Sequence, residues 1–351
     1  MSIFFFDVML SNSADSRIFD FDYACKGHEK TVASAKFSND VSRYVHKVYF
    51  RNNSDFKCSY FVRVASVSGD KTCRIWCTRT GKLAQILVGH ASGVCDLAWS
   101  SDDKIIATGS DDTFLMLWDS WTGKCIRLLA GHKCSVTCCA FDVPNNVLAS
   151  GSFDETLRLW EVKKGKCMLV IPAHSDPISS ICFSADGSMI LTGSYDGSLR
   201  FWDKNSGACL KSLSISNDEV VPISFLSSTP NPSYMLLGTL SDSIMLIDIK
   251  SGKIVKKYSS HTNRQFCLPP CYVRNKEAEL IVCGSESGHI YLWDSISQQV
   301  LSALPIKRFH EESSDLAVAV NIAMGSNSAV SFFLKNSTDY ELKLWQLSEC
   351  K

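Results

Sequence analysis

The feature that most constrains this chain is a unit of sequence that repeats at a fixed spacing. Three regular copies lie between Gly89 and Asp203, and each opens on Gly-His or Ala-His and closes on Trp followed by an acid. Successive histidines are 42 residues apart, successive tryptophans are 42 apart, and each tryptophan follows its histidine by 28. The pairs are His90 with Trp118, His132 with Trp160, and His174 with Trp202. A constant internal spacing indicates that each copy folds as the same small unit.

A period near 42 residues, with Gly-His at one end and Trp-Asp at the other, is typical of the four-stranded blade of a WD-repeat β-propeller. Residues at blade-closing positions recur seven times along the chain, so the sequence predicts an all-β, seven-bladed propeller. These positions are Trp76, Trp118, Trp160, Trp202, Ile247, Trp293 and Trp345. We expect residues 17–350 to form this one domain, with residues 1–16 as an N-terminal tail.

The two ends of the repeat array are expected to pair with each other. Residues 17–23 alternate aromatic residues with aspartates, which is typical of a half-buried strand. This strand precedes the first Gly-His, and the last copy ends at Trp345 without an outer strand. The N-terminal strand is therefore predicted to complete the last blade and close the ring, which removes an exposed sheet edge.

The first copy, from Gly27 to Trp76, is 20 residues longer between His and Trp than the regular copies. The extra residues form an insert at 38–60, between the first and second strands of blade one and on the face opposite the Gly-His loops. The insert is rich in aromatic and basic residues. A tolerated surface insertion is favoured, and a partner-binding loop is the alternative.

The charge balance and the cysteines narrow the classes of function. The formal net charge is zero and the pI is about 7.0, which argues against a binder of nucleic-acid phosphates. The apolar start of the chain lacks a basic n-region and contains Asp7, so we expect no membrane span. The chain has 16 cysteines, but no paired CxxC or HxxxH spacing, so we expect no metal or other cofactor. A reducing compartment is the simpler interpretation of so many cysteines.

A histidine, a serine or threonine, an aspartate and a tryptophan recur together in the first four copies. In the third copy they are His132, Ser150, Asp154 and Trp160. A His/Ser/Asp set that occurs four times in one chain indicates a framework of hydrogen bonds, because an enzyme needs one active site. We find no Gly-rich phosphate loop, HExxH or nucleophile elbow, so the sequence predicts a binding scaffold, not an enzyme.

The informative positions are those that vary while the frame stays fixed. One ring is the middle residue of each Ser-x-Asp turn, and a second ring lies at the start of each inner strand. The first comprises Gly69, Asp111, Phe153, Tyr195, Leu240 and Glu286; the second comprises Ala33, Cys95, Thr137, Ser179, Ser224 and Cys267. Both rings are expected to surround the mouth of the central channel on the Gly-His face. Acidic and aromatic residues in the first ring, with small residues in the second, suit a basic side chain that enters a narrow channel. The alternative is that these are turn residues and nothing more.

The run AHSDPISSICFSADGSMILTGSYDGSLRFWD, with GSFDETLRLWEVKKGKC before it, resembles the WD-repeat subunit of trithorax/MLL-type (COMPASS-like) histone H3 lysine-4 methyltransferase complexes. The likeness is strongest from Gly89 to Leu213. It implies a nuclear scaffold, monomeric within a hetero-complex, whose partners are methyltransferase-complex subunits. The alternative is a divergent, cytoplasmic or nuclear adaptor of another complex, in splicing or as a ubiquitin-ligase receptor, that has lost arginine-peptide binding.

The resemblance also implies two sites. At the channel mouth, that family binds an arginine from the histone H3 tail or from a short arginine motif of the methyltransferase. The matching positions here are Cys95, Asp111, Ser179, Tyr195, Ser224, Phe266 and Cys267. Thr137 and Pro269 stand where the family has two phenylalanines that sandwich the guanidinium. On the opposite face, across blades five and six, the family binds another subunit, and the matching positions are Asn231, Tyr234, Leu246, Lys256 and Tyr272.

Overall fold

The computed structural model describes residues 19–39, 63–78, 80–216, 218–274, 279–305, 320–324, 328–333 and 342–347. In these ranges the chain forms 28 strands, β1 to β28, grouped into four-stranded antiparallel sheets. No helix in the part of the chain so described is long and apolar enough to cross a membrane. The predicted tail at 1–16 lies outside these residues.

Six blades are each built from four consecutive strands, ordered from the inner to the outer strand. Blades one to three comprise β2 Val32–Phe37, β3 Arg63–Ser68, β4 Thr72–Cys77 and β5 Leu83–Val88; β6 Val94–Trp99, β7 Ile105–Ser110, β8 Leu115–Asp119 and β9 Cys125–Leu129; and β10 Val136–Phe141, β11 Val147–Ser152, β12 Thr156–Glu161 and β13 Lys166–Pro172. Blades four to six comprise β14 Ile178–Phe183, β15 Met189–Ser194, β16 Ser198–Asp203 and β17 Cys209–Ser214; β18 Ile223–Ser228, β19 Tyr234–Thr239, β20 Ile244–Asp248 and β21 Ile254–Tyr258; and β22 Cys271–Arg274, β23 Glu279–Gly284, β24 His289–Asp294 and β25 Val300–Pro305.

The prediction of seven equivalent blades needs correction, because the structure has six blades of this kind. The remaining sheet is a composite of β26 Val320–Met324, β27 Ser328–Phe333 and β28 Leu342–Leu347 with β1 Phe19–Cys25 from the start of the chain. Within the described residues, the C-terminal repeat supplies three strands of this sheet, and the N-terminal strand supplies the fourth. β1 pairs antiparallel with β28, from Phe19 opposite Leu347 to Cys25 opposite Leu342. The expected pairing of the two ends is therefore present.

The inner strands of blades one to five share one irregularity, a register shift near the strand start that marks a β-bulge. In blade three, Val136 lies opposite Ser152 and Cys138 lies opposite Gly151, so Thr137 is the extra residue. A bulge bends the strand and re-aims the side chain of the extra residue. The five bulged residues, Ala33, Cys95, Thr137, Ser179 and Ser224, are five of the six members of the inner-strand ring predicted from the sequence.

Neighbouring blades pack through apolar clusters that join the middle strands of one blade to the inner strand of the next. Leu157, Leu159 and Ile171 of blade three pack with Ile178 and Ile190 of blade four in one such cluster. A Cβ placed on Gly151 would come within 2.6 Å of the Ile178 side chain. The glycine of the second strand is therefore required by the close approach of the next blade.

The predicted insert lies between β2 and β3, and residues 40–62 are outside the described ranges. Both ends of this gap are held against blade two. The backbone N–H of Asn39 donates to Asp103 Oδ1 at 2.9 Å, and Arg63 donates to the Ser120 carbonyl at 2.9 Å. The Arg63 guanidinium also lies over the Trp121 ring, 4.1 Å from its centroid. Asn39 and Arg63, the described residues on either side of the gap, thus lie at the junction of blades one and two.

Candidate functional site

The recurring His/Ser/Asp/Trp set forms one chain of hydrogen bonds in each of blades one to four. In blade three, Trp160 Nε1 donates to Ser150 Oγ at 2.8 Å, and Ser150 Oγ lies 2.8 Å from His132 Nε2. His132 Nδ1 lies 3.0 Å from Asp154 Oδ2. The same four roles are filled by His28, Ser66, Asp70 and Trp76; by His90, Thr108, Asp112 and Trp118; and by His174, Thr192, Asp196 and Trp202. The framework interpretation is therefore confirmed for all four blades.

The chemistry of this chain is that of a structural tie. Burial lowers the pKa of His132, although the nearby Asp154 opposes the shift. Hydrogen bonds from Thr156, Lys133 and His132 outweigh the effect of burial on Asp154 and lower its pKa to about 2. A neutral imidazole that accepts at Nε2 from the serine must donate from Nδ1 to the aspartate. Every polar atom in the chain then has a partner, which holds the Gly-His loop to the Ser-x-Asp turn.

Blade six keeps the histidine but loses its partners. Cys283 stands where the serine belongs, Ser287 stands where the aspartate belongs, and Trp293 Nε1 donates to the Ser259 carbonyl at 2.9 Å. His261 is 2% exposed, and both of its ring nitrogens lack a hydrogen-bond partner. Burial lowers its pKa to about 4. The imidazole is held by ring contacts alone, including an edge-on contact with Trp293 at 5.3 Å between centroids.

A different tie replaces the missing network in blade six. One oxygen of Glu286, Oε1, accepts the backbone N–H groups of Arg264, Gln265 and Phe266 at 2.8, 2.6 and 2.9 Å. Glu286 occupies the middle of the Ser-x-Ser turn, which is the variable position of the first predicted ring. The loop it fixes carries Phe266 and Cys267 to the mouth of the channel.

A pocket of about 340 Å³ opens at this mouth and brings together residues from blades one, two and six. It is lined by four of the predicted peptide-binding residues, Cys95, Asp111, Phe266 and Cys267, and by Thr31, Ala33, Gly69, Gly93 and Val94. Asp111 is the one charged side chain among these lining residues. Its Oδ1 accepts a hydrogen bond from Ser135 Oγ at 2.9 Å and from Cys95 Sγ at 3.2 Å. The pocket is thus small, partly apolar, and carries a single oriented carboxylate.

The other three predicted mouth residues do not line this pocket. Ser179 is buried, and its hydroxyl donates to the Ile223 carbonyl of the next blade at 2.6 Å. Ser224 is fully buried, and its Oγ has no hydrogen-bond partner. Tyr195 is half-buried, and its hydroxyl lies 3.3 Å from Cys267 Sγ at the edge of the pocket. Ser179 therefore joins blade four to blade five, whereas the Ser224 hydroxyl is buried without a partner.

Thr137 and Pro269, the two positions where the sequence departs from the expected aromatic sandwich, are both described by the structure. Thr137 Oγ1 donates to the Ile178 carbonyl at 2.5 Å, so it joins blade three to blade four. Pro269 is half-buried and precedes β22, which begins only at Cys271. The sequence placed Cys267 at the start of the inner strand of blade six, and this was wrong. Pro269 and Pro270 have no N–H to donate, so the ladder starts later and Cys267 lies in the preceding loop.

The opposite-face residues gather at the junction of blades five and six. Tyr234 and Tyr272 are half-buried and pack against a core cluster that contains Leu246. Lys256 Nζ donates to the Ser295 carbonyl at 2.5 Å, and the Tyr272 hydroxyl donates to Glu279 Oε2 at 2.5 Å. Asn231 is exposed, and its carbonyl accepts the Tyr234 N–H at 3.0 Å. Four of the five predicted residues thus retain accessible surface.

Leu246 differs from the other four, since it is 9% exposed and faces the joint between blades five and six. It stands in β20, opposite Leu236 on one side and Lys256 on the other. A leucine in that position supports the shape of the surface from below. The residues available for direct contact on this face are Tyr234, Tyr272, Asn231 and Lys256.

The residues that organise the mouth from beneath were not predicted from the sequence. They are Ser135, which orients Asp111, and the ion pair of Lys36 with Asp96. Lys36 Nζ lies 2.8 Å from Asp96 Oδ1, and both residues are on inner strands. Opposite charges inside the otherwise apolar inner-strand runs VASAKF and VCDLAW were the available signal.

The cysteines and carboxylates form no metal cluster within the ranges that the structure covers, where no three His, Cys, Asp or Glu side chains meet in a suitable group. Cys73, Cys138, Cys139 and Cys283 are buried thiols, as small hydrophobic residues are. Cys77 differs, because it is disulfide-bonded.

The blades, their buried His/Ser/Asp/Trp frame and the open channel mouth define the protein as a WD-repeat β-propeller, a fold that typically serves protein–protein interaction without catalysis. The family model described as the WDR5 beta-propeller domain matches residues 24–346. The chain therefore belongs to the WDR5 beta-propeller family. This match indicates no enzymatic family.

Individual relatives are similar to the chain over shorter stretches. The WD repeat domain-containing protein 83 homolog of Dictyostelium discoideum is 27% identical over 132 residues, which is 38% of this chain and 37% of that protein. Protein ROOT INITIATION DEFECTIVE 3 of Arabidopsis thaliana is 28% identical over 38% of this chain and 30% of its own length. WD repeat domain-containing protein 83 of Danio rerio is 30% identical over 24% and 26%. Each match thus spans well under half of the relative.

Proposed function

We propose that the protein is a nuclear, non-catalytic scaffold of a histone H3 lysine-4 methyltransferase complex. In this proposal it binds one cationic side chain of a peptide at the channel mouth and a partner subunit on the opposite face, across blades five and six. The observation that carries the proposal is the mouth pocket, whose single lining carboxylate, Asp111, is oriented by Ser135 and Cys95. Family membership and the resemblance of the Gly89–Leu213 stretch supply the choice of complex.

The pocket suits the end of an arginine side chain from the H3 tail or from an arginine-motif peptide. A carboxylate fixed by two donors is a ready acceptor for a guanidinium, and charge-assisted hydrogen bonds are about twice as strong as neutral ones. Phe266 contributes one aromatic wall. With threonine and proline in place of a second and third aromatic, the pocket provides less cation–π stabilisation, about 1–2 kcal/mol per lost face. We therefore expect binding that depends mainly on Asp111.

The opposite face offers a surface of a different kind. Tyr234 and Tyr272 present partly exposed rings above the buried Leu246, and the Lys256 ammonium lies beside them, donating to Ser295. Tyrosine rings combine apolar area with a hydroxyl and are enriched in protein interfaces. Two sites on opposite faces of a rigid ring would hold two partners at a fixed separation, which is how a scaffold promotes a reaction that it does not catalyse.

Capture of complexes from nuclear extract tests the partner and the complex together. Tagged wild type is compared with Tyr234→Ala and with Val143→Ala, a control at an exposed turn residue of blade three, in the matching β10–β11 connection. We expect methyltransferase-complex subunits with the wild type and the control, and their loss with Tyr234→Ala. Absence of these subunits from all three captures would overturn membership of the complex.

A second function is favoured by the departures at Thr137 and Pro269. Thr137 is committed to the joint between blades three and four, so no aromatic face is available there. The alternative proposal is an adaptor of another complex, in splicing or ubiquitin ligation, that uses the blade five–six face without arginine binding. It predicts that Asp111→Asn leaves every captured partner in place, whereas Tyr234→Ala removes them.

A further inference from the structure

The carboxylate of Asp96 joins three blades beneath the mouth pocket. It accepts from Ser34 Oγ at 3.1 Å and from Lys36 Nζ at 2.8 Å, both on the inner strand of blade one. It also accepts the backbone N–H of Cys139, on the inner strand of blade three, at 3.1 Å. Asp96 itself is on the inner strand of blade two. One side chain therefore connects the innermost strands of three successive blades.

Lys36 follows Ala33, which lines the binding pocket, by three residues on the same inner strand. Cys95, the residue next to Asp96, lines the pocket, and its thiol is within electrostatic range of Asp96 as well as Asp111. The Asp96 side chain is 9% exposed and the Lys36 side chain 32% exposed. Part of the lysine side chain is therefore accessible to solvent.

Asp96 stabilises the charged form of Lys36. Burial opposes the ammonium, but the Asp96 carboxylate outweighs it and holds the pKa of Lys36 above its usual value. Lys36 is paired with Asp96. Asp111 is the one charged side chain among the pocket-lining residues, and no lining residue compensates its charge. A cation that moved past Asp111 would approach a fixed ammonium in a region where charges are weakly screened.

We infer that Lys36 determines the charge specificity of the channel, limiting how deeply and how tightly a cationic side chain binds below Asp111. This inference rests on the proposed binding of a cationic side chain at the mouth. The lysine acts in two ways, by like-charge repulsion and by occupying the second carboxylate that an incoming cation would otherwise reach. Removing its charge converts a pocket with one available carboxylate into a channel with two.

The test compares Lys36→Met with wild type by calorimetric titration. The probes are acetyl-Ala-Arg-Ala-amide and the matching citrulline peptide, which has the same shape without the charge. We expect Lys36→Met to bind the arginine peptide about tenfold more tightly, with no gain for citrulline, because a unit charge at roughly 10 Å counts for that much in a partly screened site. The conservative Lys36→Arg is expected to restore the wild-type arginine-to-citrulline ratio. Lys104→Met, at an exposed lysine 72% accessible, controls for net charge alone.

A double variant guards against misfolding when Asp96 loses its partner. Lys36→Met/Asp96→Asn removes both charges, and the asparagine amide oxygen can still accept the buried Cys139 N–H. It removes the repulsion without exposing a carboxylate, so we expect a gain in arginine affinity of about twofold to threefold, smaller than for Lys36→Met. An unchanged arginine-to-citrulline ratio in folded Lys36→Met would overturn the role of Lys36. Failure of every protein, wild type included, to bind the arginine peptide would instead overturn the proposed cation site and the inference with it.

Discussion

Blade three and blade six carry a histidine at the same place in the propeller but surround it in opposite ways. His132 has a hydroxyl on one ring nitrogen and a carboxylate on the other, and it is 6% exposed. His261 is 2% exposed with neither nitrogen bonded. The comparison separates the role of the residue from the role of its network. The same side chain ties two loops together in blade three and fills space in blade six.

The difference bears on function because blade six supplies one wall of the mouth. In blades two to four the Gly-His loop is fixed by the buried network, and the adjoining turn carries Asp111, Phe153 or Tyr195. In blade six the loop with Phe266 and Cys267 depends on the three backbone bonds to Glu286. Asp111 is thus next to a loop held by the buried hydrogen-bond network, which is the stronger support. Phe266 and Cys267 are in a loop held only by the bonds to Glu286, which is the more adjustable one.

Replacing His132 with leucine should have the largest effect on stability. Leucine keeps the volume but leaves the buried Ser150 and Asp154 without their shared partner, and each unsatisfied polar group costs about 1–3 kcal/mol. We expect His132→Leu to lower the free energy of unfolding by about 3 kcal/mol, measured by urea denaturation. An equal loss in the free energy of unfolding for His261→Leu would contradict the difference drawn between blade three and blade six.

The next largest effect is expected at acid pH, where His261 should lower the stability of the protein. The folded pKa of His261 is about 4, below the usual value near 6.5, so the unfolded chain takes up the proton first. Above pH 6.5 the histidine is neutral in both the folded and the unfolded state, so it does not weaken folding there. As the pH falls from 6.5 toward 4, the unfolded state takes up a proton that the folded state does not, and stability is lost. The difference in free energy of unfolding between His261→Leu and wild type should therefore shift by about 2 kcal/mol in favour of the variant when the pH is lowered from 7.5 to 4.5. Parallel stability curves for the two proteins would contradict this.

Rebuilding the network in blade six should give a smaller, stabilising effect. Cys283→Ser with Ser287→Asp restores the two missing partners of His261, and a net hydrogen bond contributes about 1 kcal/mol. We expect the double variant to raise the free energy of unfolding by about 1 kcal/mol at pH 7.5, in the same denaturation experiment. The single variants are the controls, and each should contribute less than the pair. A destabilised double variant would show that blade six is packed for the unbonded histidine.

The smallest effect is expected for His261→Leu at pH 7.5. The substitution removes two unsatisfied buried nitrogens and also the edge-on contacts with Tyr291 and Trp293, and these changes oppose each other. The free energy of unfolding should change by less than about 1 kcal/mol. A larger loss would indicate that a hydrogen bond to His261 forms in solution.

Much of the frame could be predicted from the sequence because it repeats. The constant spacing of His132, Ser150, Asp154 and Trp160 from copy to copy is enough to predict that they associate, and the bulged residues were identified as a ring. The number of equivalent blades was not predictable in the same way. In the described part of the last repeat there are three strands, their sheet is completed by β1, and six blades of consecutive strands remain.

The candidate sites were less predictable because they depend on contacts between repeats. Nothing local in the sequence shows that Ser224 and Leu246 are buried in joints between blades, since each has the residue type of an accessible position. Two consecutive prolines delayed β22 and moved Cys267 into a loop. The Lys36–Asp96 pair joins residues 60 apart in sequence, and only the packing of blade two against blade one brings them together.

The most direct test of the account is the titration of acetyl-Ala-Arg-Ala-amide into wild type and Asp111→Asn, with the citrulline peptide as the uncharged reference. Asparagine keeps the shape of the side chain and removes the one lining charge of the pocket. We predict that the wild type prefers arginine to citrulline and that Asp111→Asn weakens arginine binding at least tenfold, to the level of citrulline, about 1.4 kcal/mol or more. Equal binding of the arginine peptide by both proteins would contradict the claim that the channel mouth is a site for a cationic side chain.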